Sequence, residues 1–92
     1  MEPKFETLHL IYELIKEKTD PTKTVLTINE LLLHQNRPWD ELVSHLEELN
    51  REGSILLHQL SVAVVSITSR GLEIAMDREQ AQKEHFRNLK FS

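Results

Sequence analysis

Residues 27–53, TINELLLHQNRPWDELVSHLEELNREG, carry the decision about fold, together with SILLHQLSVAVVSIT at 54–68, which follows them. Thr27 and Glu30 have the spacing of a capping box, in which hydroxyl and carboxylate each take up an unsatisfied amide at a helix start. The helix this opens runs from Ile28 to about Gln35. Asn36-Arg37-Pro38 then breaks the chain, and Pro38 stands where a helix start tolerates a missing N–H. A second helix is expected from Pro38 to about Glu52, with Trp39, Leu42, Val43, Leu46 and Leu49 as its buried stripe. Gly53 suits the position just past that helix's end. Beyond it the pattern becomes strand-like: Ile55-Leu56-Leu57 and Val62 to Ile67 are rich in strand formers, with a reversal near Gln59-Leu60-Ser61.

Outward from this unit, Phe5, Leu8, Ile11, Tyr12 and Ile15 fit one stripe of an N-terminal helix, and Thr19-Asp20-Pro21-Thr22 stops it. Leu10 and Leu14 fall on nearly the opposite side of that helix. Thr24-Val25-Leu26 reads as a short extended segment. After Thr68-Ser69-Arg70-Gly71 the chain is expected to be helical to about Leu89, with Leu72, Ala75, Met76, Phe86 and Leu89 along one stripe. The predicted class is α+β, mainly helical, in a single domain spanning 1–92. Its parts are a helix-turn-helix at about 27–52, a short β-wing of two to three strands at about 54–68, and a C-terminal helix at about 70–89. Two helices around a tight break, followed by a hairpin, is the winged helix-turn-helix arrangement.

Three segments resemble the MarR- and PadR-type winged-helix regulators, over about residues 5–85. Leu26-Thr27-Ile28-Asn29-Glu30-Leu31 resembles the entry to that family's helix-turn-helix. Leu46-Glu47-Glu48-Leu49 through Gly53-Ser54-Ile55 resembles the end of its recognition helix and the entry to the wing. Ile67-Thr68-Ser69-Arg70-Gly71-Leu72 resembles the passage from the wing's last strand into the following helix. The resemblance implies a small, often dimeric transcription regulator whose second helix enters the major groove of double-stranded DNA.

Composition excludes several classes of function. The chain has no cysteine, so disulfides, thiol nucleophiles and Cys-ligated zinc are ruled out. The longest apolar runs, Leu31-Leu32-Leu33 and Val62-Ala63-Val64-Val65, fall far short of the roughly 20 residues of a membrane span. Glu2-Pro3-Lys4 does not open a signal peptide, and a cytoplasmic protein is expected. His9, His34, His45, His58 and His85 are scattered without ligand spacing, so no metal, cofactor or catalytic residue is expected and the protein does not read as an enzyme. His45, between Glu41 and Glu48, reads as a surface ion-pairing residue. Charge is uneven along the chain. Residues 27–53 hold six acids and two bases, and residues 54–69 hold none of either. A nucleic-acid binder gains affinity from lysines and arginines that displace phosphate counterions, and here the helix pair is the most acidic stretch.

At about 100° per residue, the side of the second helix opposite Leu42, Leu46 and Leu49 carries Asp40, Ser44, Glu47 and Arg51, with Arg37 just before it and Glu48 at the margin. The expected DNA-contacting residues are Arg37, Ser44 and Arg51, with Lys23 and Arg70 flanking the helix pair. Arg51 also stands four residues after Glu47, the spacing of an ordinary helix-surface ion pair. Leu10, Leu14, Phe86 and Leu89 exceed what one small core covers and are expected to form a homodimer interface. Two functions compete: a dimeric DNA-binding transcription regulator, and a winged-helix protein–protein interaction module that does not bind DNA. The position of the bases in three dimensions separates them.

Overall fold

A computed structural model describes residues 3–35, 37–59 and 61–91, with side chains through residue 81. Its first helix, α1 (Pro3–Ile15), buries Leu8, Ile11, Tyr12 and Ile15, and also Thr7. A 3-10 turn at Pro21–Lys23 leads into the short strand β1 (Leu26–Thr27), which starts two residues later and ends one residue later than the extended segment expected from sequence. Val25 stays outside it and is exposed.

The capping box forms as its spacing predicts. The Thr27 hydroxyl accepts from the Glu30 amide at 3.2 Å while Glu30 Oε1 accepts from the Thr27 amide at 3.4 Å. It starts α2 (Ile28–His34), followed across the break by α3 (Trp39–Arg51) with Pro38 as its N-cap. Gly53, at φ +80°, ends α3 in a Schellman turn: its amide donates to Asn50 and the Ser54 amide to Leu49. A side chain at that φ would be strained, so the residue is glycine for a backbone reason.

Strands β2 (Ile55–Gln59) and β3 (Ala63–Ile67) pair antiparallel, with Leu57 opposite Val65 and Gln59 opposite Ala63. β1 pairs on the other side of β3, Leu26 opposite Val65, to give a three-stranded antiparallel sheet in the order β1-β3-β2. Central β3 is buried on both faces from Val64 to Ile67, whereas edge β2 alternates between buried Ile55 and exposed Leu56. The chain is thus α+β and mainly helical, with four α-helices among the described residues.

The core joins every layer: Leu8 and Ile11 of α1, Leu31 of α2, Leu42, Leu46 and Leu49 of α3, Ile55 and Val65 of the sheet, and Ala75 of α4 (Ser69–Phe91). The Thr68 hydroxyl accepts from the Gly71 amide at 3.0 Å and shares its hydrogen between the carbonyls of Gly53 at 2.6 Å and Ser54 at 2.9 Å, which ties the start of α4 to the end of α3. Gly71 is buried because α4 passes directly over that carbonyl; a Cβ there would lie 1.9 Å from the oxygen. Further along, α4 meets α1 through Arg78, whose guanidinium carbon lies 3.9 Å from the Phe5 ring centre. Glu79 lies 3.6 Å from Lys16 Nζ and acts on the nearby Tyr12 phenol. Met76, expected on the buried stripe of α4, is instead about half exposed, and the core contact at this turn is made by Ala75, about 100° away around the helix.

Candidate functional site

The break between α2 and α3 places Arg37 beside α1. Its Nη1 donates to Glu41 Oε1 at 2.6 Å, and its Nη2 donates to Glu6 on α1. Only 23% of the side chain is exposed. Both terminal nitrogens are therefore engaged by carboxylates, and the cluster of one guanidinium and two carboxylates is net negative. Glu6 was invisible as a partner in the sequence, because nothing in the local spacing brings a residue of α1 to the break.

Directly beneath this cluster lies a buried polar seam. Gln35 Nε2 donates to Thr7 Oγ1 at 3.2 Å, and Thr7 Oγ1 lies 2.9 Å from His45 Nδ1. The Nε2 of the same imidazole lies 3.9 Å from Glu41 Oε1. His45 is buried, a correction to the surface role expected from its glutamate neighbours. The reason is angular: His45 shares the core-facing arc with Leu42, Leu46 and Leu49, and Thr7 on α1 supplies the polar partner that burial demands. The apolar neighbours Leu8 and Ile11 of Thr7 were the available signal.

The outward side of α3 carries exposed Asp40, Ser44, Glu47, Glu48, Asn50 and Arg51. Glu47 and Arg51 do not form the expected ion pair; among the described residues Arg51 has no salt-bridge partner, and neither has Arg70. Arg70, exposed in the first turn of α4, approaches the end of α3, with Cδ 4.0 Å from where a Cβ on Gly53 would sit. Lys23 pairs with Asp20 at 3.6 Å in the 3-10 turn, which packs on β3. The five residues expected at a DNA face are thus distributed: Arg37 is neutralised at the break, Lys23 is on the turn before β1, Ser44 is exposed midway along α3, and Arg51 and Arg70 stand near its end.

Trp39 is 49% exposed, not packed in the core stripe as its spacing to Leu42 predicts. Side chains on a helix lean toward its N-terminus, so a residue at the first position covers surface beyond the helix end rather than the core beneath it. There Trp39 lines an open cleft of about 300 Å³ with Thr27, Ile28, Asn29, Val62 and Ala63. The N-terminal ends of α2 and α3 form its walls, and the start of β3 its floor.

Leu10 and Leu14 are half-buried against the core of their own chain. The side chains of Phe86 and Leu89, the other expected interface residues, lie outside the described residues. Among the described residues, no helix is long and apolar enough to cross a membrane, and no three His or carboxylate groups gather as metal ligands. Comparison with protein-family models, curated proteins and solved structures finds no match to this chain.

Proposed function

We propose that this chain is a winged-helix protein–protein interaction module, in which the α2–α3 unit and the β2–β3 hairpin meet a protein rather than a DNA groove. The observation that carries the reading is the double engagement of Arg37 by Glu6 and Glu41. It removes the best groove-facing cation and leaves Asp40, Glu47 and Glu48 exposed against Arg51 alone on the outer side of α3. A duplex carries one negative charge per about 1.7 Å of axis, so such a face is repelled along its length. The hairpin supports the same reading, since residues 54–69 offer no lysine or arginine to a phosphate or minor groove.

The competing reading is a dimeric DNA-binding regulator. What favours it is that Arg51 and Arg70 are exposed near the end of α3, without salt-bridge partners among the described residues. Fluorescence anisotropy with a labelled random duplex across a salt series separates the two. The interaction-module reading expects no binding even at low ionic strength. Affinity that falls steeply as salt rises is the multi-phosphate signature and would overturn it.

A further inference from the structure

The cleft beside Trp39 combines two properties. Its lining is largely apolar, and two of its large side chains, Trp39 at 49% and Val62 at 55% exposed, are left unpacked. Its charge is of one sign. Glu30 Oε1 lies 3.3 Å from the hydroxyl of the lining residue Thr27, and Asp40 follows Trp39 in the chain, exposed. Among the described residues no lysine or arginine lines the cleft, and none neighbours a lining residue in sequence.

An apolar hollow with carboxylates next to its lining residues selects for an apolar side chain flanked by cations. The hollow desolvates the anchor, and the acids supply orientation and exclude acidic competitors. We propose that this cleft is a docking site for a basic peptide segment of a partner protein, with one aliphatic or aromatic anchor between lysines or arginines. The proposal rests on the interaction-module reading and names the chemistry of its partner. Trp39 sits against the anchor, Val62 and Ile28 close around it, and Glu30 and Asp40 pair with the flanking cations.

Trp39 is the chain's single tryptophan, so the site carries its own reporter. The test uses the full chain and three synthetic nonapeptides: a central leucine with lysine and arginine flanks, the same peptide with a central serine, and a central leucine with glutamate flanks. Expected is saturable binding of the first, with a shift in Trp39 emission. The serine and glutamate peptides should bind at least about 10-fold more weakly. Fluorescein-labelled peptide gives a readout for variants: Trp39→Ala and Val62→Ser, both at exposed positions, should each weaken the first peptide by about 10-fold or more. Equal binding to wild type and to both variants, or equal binding of the leucine and serine peptides, would assign any affinity to the general acidity of α3 and overturn the site. So would a Trp39 shift produced by raising protein concentration alone, which would make a second copy the occupant. Failure of all three peptides, with duplex DNA also unbound, removes the cleft proposal while leaving the broader reading standing; duplex binding removes the broader reading.

Discussion

Thr7 is the residue on which the polar seam turns. One hydroxyl serves both half-buried Gln35 and buried His45 where α1, the break and α3 converge. Thr7→Val keeps the shape and deletes the hydroxyl, taking this partner from Gln35 Nε2 and from His45 Nδ1. A loss of about 1–3 kcal/mol is expected, measured by chemical denaturation. Tyr12 makes a second prediction at this scale. Its phenol is pushed above its ordinary value, first by the hydrogen bond it donates to Glu79 and then by burial. The fold thus favours the protonated form. That contribution is complete below the unfolded phenol's value of about 10 and is lost as pH rises through the higher folded value. Between about pH 9 and pH 11 the denaturation midpoint of the wild type should fall more steeply than that of Tyr12→Phe. Because Tyr12 is the only tyrosine, its phenolate absorbance follows the folded titration directly.

At the scale of elements, the two ends of the helix pair are held by local devices. Thr27→Ala removes the capping box at α2, and a loss of about 1 kcal/mol is expected. Gly53→Ala forces a side chain into left-handed backbone at the end of α3, at a cost of about 1–2 kcal/mol. Thermal unfolding of both variants measures these losses. These devices were legible in the sequence because each is written within four residues: Thr27 with Glu30, and Gly53 after the last turn of α3. The hairpin was legible from the change of period after Gly53. What sequence could not supply depends on neighbours from elsewhere in the chain. Arg37 looked available because Glu6 stands 31 residues away, His45 looked superficial because Thr7 stands 38 away, and Trp39 looked buried because stripe arithmetic ignores where a helix begins. The pairing of β1 onto β3 was likewise beyond a reading that saw only a short extended segment.

Across the whole molecule, the seat of α4 and the distribution of charge decide what the protein presents. Gly71 lets α4 lie on the Ser54 carbonyl, which already accepts from the Thr68 amide and hydroxyl and so cannot move aside cheaply. Gly71→Ala should therefore cost about 1–3 kcal/mol or more by overpacking, with denaturant unfolding as the check. Charge is where the functional argument is won or lost. The net of −4 is unremarkable for the chain as a whole, but the outer side of α3, which would have to approach phosphates, shows Asp40, Glu47 and Glu48 against Arg51, and Arg37 at the break is already paired. Amide chemical-shift mapping with a random duplex at low ionic strength tests this most directly. The account predicts that the amides of α3 from Asp40 to Arg51 keep their positions. Shifts concentrated in that helix and abolished by added salt would contradict it.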